Sequence, residues 1–150
     1  GGRTVIGTYD GKQAKSFIAG INLEDAVDEI EAHPLIVTFN GAQFDMPLIR
    51  QRFRHNFFNH VHVDLRFPLK RLGFAGGLKK IEKDFRIERS ERTRGLDGWD
   101  AVRLWREYQR GHDRALELLV EYNIEDIKNL EPLMKFVAEE TRKRLTAAAP

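Results

Sequence analysis

There is no cysteine among the 150 residues. That absence excludes disulfides, thiolate zinc sites, iron–sulfur clusters and thiol nucleophiles together, and it fits a reducing, cytoplasmic setting. No apolar run approaches the ~20 residues that a membrane span requires, and no secretory leader pattern opens the chain. Internal repeats are missing, as are low-complexity tracts apart from Ala147-Ala148-Ala149. The chain opens at Gly1-Gly2-Arg3 without Met, which reads as a fragment, a processed product or a tag remnant.

With 41% hydrophobic and 32% charged residues, the composition is that of an ordinary globular protein, and the length suits one domain over 1–150. Net charge is only +2, but it is unevenly placed. From Met46 to Gly95 there are 13 Lys and Arg against 5 Asp and Glu, a local +8 that leaves −6 for the rest. Such asymmetry points to a polyanionic partner at the middle segment. The same arginines, Arg50, Arg52 and Arg54 among them, also suit the solvated side of a helix.

The pattern of residues predicts an α/β protein. Thr4 to Tyr9 and Ala14 to Ile18 read as strands, with Asp10-Gly11 between them as a positive-φ turn, hence a β-hairpin. Asn22 reads as a helix N-cap, followed by Leu23, Ala26, Val27 and Ile30 on one helical face. Pro34 ends that helix, and the apolar run Leu35 to Phe39 predicts a strand buried on both faces. A helix over about Met46 to Phe53 and a strand over Val61 to Leu65 follow. Phe67 to Gly77 reads as loop and short helix, and Leu78, Ile81 and Phe85 mark another helix. The polar stretch Arg86 to Gly98 reads as a surface loop. Trp99, Val102 and Trp105, with Leu104 and Tyr108, predict a helix that packs all three aromatics into the core. From Asp113 to near Arg144 the chain reads as helical, with breaks expected around Tyr122 and Pro132. Strands alternating with helices predict a sheet with helix-covered faces.

Two acidic constellations could carry chemistry. After the strand ending at Phe39 comes Asn40-Gly41-Ala42-Gln43-Phe44-Asp45. The rim beyond a central strand is where such sheets place ligands, and a carboxylate there can hold a hard divalent ion. Asp45 also suits an N-cap with Pro47 in the first turn; the two roles are compatible. The second constellation is Tyr122-Asn123-Ile124-Glu125-Asp126. On a helix Tyr122 and Asp126 share a face, and a phenol beside a carboxylate can orient a water molecule.

Asn40-x-x-x-Phe44-Asp45 after an apolar strand, with Tyr122-x-x-x-Asp126 on a late helix, resembles the second and third motifs of the DEDD exonuclease superfamily, in its tyrosine-bearing form. Within it, the chain is similar to the YprB-like family of ribonuclease H-like exonucleases. The likeness runs through Phe39 to Ile49, His62-Val63-Asp64-Leu65, Asp97-Gly98 with Leu104-Trp105-Arg106-Glu107-Tyr108, and Glu121 to Ile127, and so covers about Val5 to Phe136. It implies a ribonuclease H-like mixed sheet flanked by helices. The activity it implies is a 3′–5′ exonuclease acting on single-stranded nucleic-acid ends with two Mg²⁺ or Mn²⁺ ions. Asp45 and Asp126 would be metal ligands, Tyr122 would orient the attacking water, and Asn40 and Phe44 would lie near the terminal nucleotide. The family's first motif, an Asp-x-Glu on a central opening strand, has no counterpart after Gly1. The expectation is therefore an N-terminally incomplete domain, lacking that strand and by itself inactive or nearly so. The rival expectation is an inactive nucleic-acid-binding or scaffolding domain of the same fold; a polymerase-associated proofreading domain is a third. His60 and His62 alternate on a strand, but no third zinc ligand lies near them. Asp64 reads as a satisfied strand-end acid.

Overall fold

The computed structural model describes residues 5–41, 45–53 and 60–148, and of 45, 48, 52 and 53 the backbone alone. Its fold is mixed α/β, with small sheets and several helices, as the sequence predicts. Two compact units divide the chain, Gly1–Ala26 with Glu88–Lys128, and Val27–Ile87 with Asn129–Pro150. Among the described residues no helix is long and apolar enough to cross a membrane.

The first unit opens with the expected hairpin. β1 (Val5–Tyr9) pairs antiparallel with β2 (Ala14–Ile18), in the register Val5↔Ile18 to Tyr9↔Ala14. Asp10 shapes the turn: its Oδ1 accepts from Lys12 N at 2.9 Å and Gln13 N at 2.8 Å, and Gly11 takes the positive φ of 93°. Asn22 is not the predicted N-cap. Its side chain reaches back to β2, accepting from Ile18 N and donating to Ser16 O. That spends the amide on the strand, so the chain turns first and α1 starts later, at Asp25–Glu31.

The helix α6 (Asp113–Lys128) covers the hairpin, and α5 (Gly98–Gln109) packs on α6. α5 starts at a reciprocal capping box in which Asp97 Oδ1 accepts from Asp100 N and Asp100 Oδ2 accepts from Asp97 N. α6 runs through Tyr122 without the expected break. Val5, Leu104, Trp105, Leu119 and Tyr122 are the centre of this unit's core. Gly7 of β1 lies so close to α6 that an added Cβ would stand 2.1 Å from Asn123 Oδ1.

The second unit has a parallel pair, β3 (Leu35–Thr38) with β4 (Val61–Asp64), in the register Leu35↔Val61 to Thr38↔Asp64. β3 is half-buried rather than buried on both faces, and Leu35 is 47% exposed. Among the described residues its hydrogen-bonded neighbour is β4 alone. The helices of this unit are α2 (Asp45–Phe53), α3 (Arg66–Arg71), α4 (Leu78–Asp84) and α7 (Leu130–Ala148). Leu65, Leu69, Ile81, Leu133 and Val137 fill its core, and Phe74, Phe85 and Phe136 stack on one another with centroids 4.7 to 5.5 Å apart. The break between α6 and α7 falls at Asn129, not at Pro132. Proline is tolerated in a first turn, where its missing N–H would have no intrahelical partner. Asn129 instead donates from Nδ2 to Oε2 of Glu82, a carboxylate only 2% exposed, at 2.6 Å.

Candidate active site

Tyr122 and Asp126 stand four residues apart on α6, on one face as expected. Tyr122 is 5% exposed and belongs to the core of the first unit. The side chain of Asp126 is about one-third open to solvent and takes an ion pair from a residue the sequence did not single out. Arg89 Nη2 donates to Asp126 Oδ1, and the Arg89 guanidinium carbon lies 5.3 Å from the centre of the Tyr122 ring. The Arg89 side chain is 6% exposed. A buried guanidinium therefore touches both members of the predicted tyrosine–aspartate pair.

Arg89 is held there by its own loop. Ser90 N donates to Glu125 Oε1 at 2.9 Å and Ser90 Oγ to Glu121 Oε1 at 2.9 Å. Thr93, fully buried, donates its hydroxyl to Glu125 Oε2 and lies 3.1 Å from Ser90 Oγ. Arg92 pairs with Glu121 at 3.1 Å. Glu121 and Glu125, four apart on α6, thus fasten the 89–93 segment to the helix. The Arg86 to Gly98 stretch is not simply a surface loop, because three carboxylates of one helix supply acceptors for its polar groups. A signal for this was present: Ser90-x-x-Thr93 offers two short hydroxyls at turn spacing, and Glu121, Glu125 and Asp126 give a helix edge of acceptors to receive them.

The other predicted residues lie in the second unit. Asn40 ends β3 in the left-handed region, with φ 62°, a conformation that asparagine tolerates better than most residues. Its N–H donates to Asp64 Oδ1 at 2.7 Å, and its Oδ1 accepts from Arg66 Nη1 at 3.0 Å. Asp64, 8% exposed, also accepts from Arg66 N at 3.2 Å. It is the satisfied strand-end acid the sequence predicts. Next, Gly41 N donates to Thr38 Oγ1 at 3.2 Å, and a Cβ on Gly41 would meet the Thr38 side chain at 2.4 Å. Met46 N donates to Gly41 O at 2.8 Å, and α2 begins at Asp45. The Asp45 side chain and the whole of Phe44 lie outside the described residues.

His60 and His62 are otherwise engaged. His60 Nδ1 donates to the His33 carbonyl at 2.7 Å, and His62 Nε2 hydrogen-bonds Thr38 Oγ1 at 2.7 Å. Among the described residues no group of three or more His, Asp or Glu side chains could hold a metal ion. The described carboxylate meant for a divalent ion, Asp126, carries a guanidinium instead. Asp126 is thus engaged by Arg89, and the side chain of the other assigned ligand, Asp45, lies outside the described residues.

Trp99 corrects a further expectation. Trp105 is buried and stacks near Tyr108 at 5.3 Å, but Trp99 is 84% exposed. Its place on α5 is about 120° around the helix from Trp105, because six residues at ~100° each do not return to the same face.

No curated protein and no solved structure matches the chain. A family model of the RNase H superfamily matches residues 2–138, nearly the whole chain and both units. The chain belongs to the RNase H superfamily, whose domains are typically nucleases, and this suggests a nuclease-like function related to nucleic acids.

Proposed function

We propose that the chain is a divalent-metal-dependent exonuclease domain that hydrolyses phosphodiester bonds at single-stranded nucleic-acid ends in the 3′–5′ direction. Asp45 and Asp126 are the metal ligands of this reading, Mg²⁺ or Mn²⁺ the ions, Tyr122 the group that orients the attacking water, and Asn40 and Phe44 the contacts to the terminal nucleotide. The observation that carries it is the face of α6, where Tyr122 and Asp126 stand one turn apart within Tyr-Asn-x-x-Asp. A phenolic O–H beside a carboxylate at that spacing can position one water molecule between a donor and an acceptor. The left-handed Asn40 and the hydrogen bond from Met46 N to Gly41 O, at the start of α2, support the second half of the assignment.

The test is degradation of a 3′-labelled single-stranded oligonucleotide in Mn²⁺ by the chain with its native flanking residues. Mononucleotide release that disappears in Asp45→Asn and Asp126→Asn and slows in Tyr122→Phe supports the reading. Degradation at the wild-type rate by both aspartate variants would end the site assignment. One observation favours a second reading, a binding or scaffolding domain without catalysis: the Arg89 guanidinium on Asp126. Oligonucleotide binding with no cleavage under any divalent ion would select it.

A further inference from the structure

The outward face of α5 carries a stripe that the catalytic reading does not use. Trp99, Arg103 and Arg106 on α5, and Arg110 at its C-cap, follow one another at steps of four, three and four residues and are all exposed. Those steps keep the side chains on one side of a helix, over about 16 Å of rise at 1.5 Å per residue. The opposite side of the same helix, Ala101, Leu104 and Trp105, is buried in the first unit's core. The stripe is therefore fixed in orientation by packing beneath it.

Its chemistry is that of an aromatic platform at one end of a cationic track. Trp99 is 84% exposed, a large apolar indole surface left in water where covering it would be favourable. Space beside it is open, since a Cβ added at Gly98 would meet no atom within 4 Å. Two acids flank the track, and both are committed to the helix. Asp100 closes the capping box with Asp97 and lies 3.6 Å from Arg103, while Glu107 accepts from Arg103 at 2.8 Å. Arg103 is thus tied along α5 by these two acids, between Trp99 and Arg106.

We infer that this face of α5 binds single-stranded nucleic acid, one base stacked on Trp99 and the phosphates that follow lying along Arg103, Arg106 and Arg110. Charge complementarity and the exposed ring select this ligand over a folded protein surface. Base–aromatic stacking tolerates any base, and guanidinium groups track a phosphate backbone. The surface takes the ligand class of the proposed exonuclease but shares none of its site residues.

The experiment uses the whole chain in EDTA, so that hydrolysis plays no part, with short oligothymidylate and oligouridylate as probes. The chain has two tryptophans; with Trp105 buried, a quenching ligand reports on Trp99. Saturable quenching of tryptophan emission is expected, and it should vanish in Trp99→Ala while affinity falls roughly tenfold, the loss of one stacked base. Replacing Arg106 and Arg110 by Gln should reduce the slope of log affinity against log salt by about 1.4, since each single-strand phosphate contact contributes about 0.7, while Arg103, already paired with Asp100 and Glu107, should add less. Trp99→Ala binding both probes as tightly as the wild type overturns the inference. Trp99 emission that responds to protein concentration and not to oligonucleotide also overturns it, and makes the stripe a self-association surface. Neither result touches Asp45 or Asp126, so the exonuclease reading would stand or fall separately on its own cleavage assay.

Discussion

Replacing Arg89 by Met keeps most of the aliphatic stem and removes the guanidinium. In the folded chain that group is 6% exposed, donates to Asp126 and stands over the Tyr122 ring. Breaking a fully buried pair by removing one partner costs about 3–5 kcal/mol, because a charge is left in a poor solvent. Asp126 is about one-third open to water, so solvent recovers part of that, while the lost cation–π contact adds roughly 0.5–2 kcal/mol. The expected loss is about 2–4 kcal/mol. At about 2–4 °C per kcal/mol for a chain of this size, the melting midpoint should fall by about 5–10 °C. Urea denaturation followed through the buried Trp105 reads the first unit directly, with Trp99 replaced by Phe in every variant to silence the exposed indole. A cycle with Asp126→Asn isolates the pair: the two single losses should exceed the double loss by about 1.5–3 kcal/mol. Single losses below about 0.5 kcal/mol, or losses that simply add, would refute the account of Arg89 as the buried counter-charge of Asp126.

Three smaller tests follow. Asn129→Ala removes a hydrogen bond to the almost completely buried Glu82 carboxylate and should lower the urea-derived stability by about 1.5–3 kcal/mol; an unchanged midpoint would show that Glu82 is satisfied without it. Gly7→Ala places a Cβ 2.1 Å from Asn123 Oδ1 and should cost about 1–3 kcal/mol, largely restored by Asn123→Ala if the clash is the cause. On α7, a hydrogen bond from Arg142, helped by the charges of Arg142 and Lys143, holds the Glu139 carboxyl below its ordinary pKa. A depressed pKa stabilises the fold above the unfolded-state value, and that contribution is lost as pH falls through the folded-state value. Arg142→Gln should move the Glu139 titration midpoint upward when followed by carboxyl-carbon NMR; a midpoint that stays in place removes the cause assigned to it.

Elements set by contiguous residues were legible. Asp10-Gly11 announces its turn through an acceptor side chain and a residue free to take positive φ, and the structure shows both in use. What failed was settled by partners outside the element being read. Asn22 looks like a cap until β2 offers it an N–H and a carbonyl. Breaks are expected around Tyr122 and Pro132; α6 runs through Tyr122, and the break falls three residues before the proline, at Asn129, whose amide bonds Glu82. Leu35 to Phe39 reads as fully buried because the residues are apolar, yet burial depends on which strands stand beside it. Of the candidate site, the Tyr122–Asp126 spacing was legible because one helical turn sets it. Arg89 was not, since its contact with Asp126 spans 37 positions.

The basic middle segment shows how counting charges differs from locating them. Sequence alone sets +8 between Met46 and Gly95 and assigns it to a polyanion. In the folded chain several of those cations are already directed inward or to neighbours. Arg89 bonds Asp126, Arg92 pairs with Glu121, Arg66 donates to Asn40, and Lys80 pairs with Asp84. Two of these, Arg89 and Arg92, meet acids of α6, outside the segment. They cancel part of the −6 that the count places elsewhere. The cations of α5 lie outside the basic segment and hardly register in the count, yet Arg103, Arg106 and Arg110 are exposed on one face beside an exposed indole. A ligand meets the charge at the surface after internal pairing, and Arg103 is itself paired with Asp100 and Glu107, so the salt dependence of nucleic-acid binding should follow Arg106 and Arg110 more closely than Arg89 or Arg92.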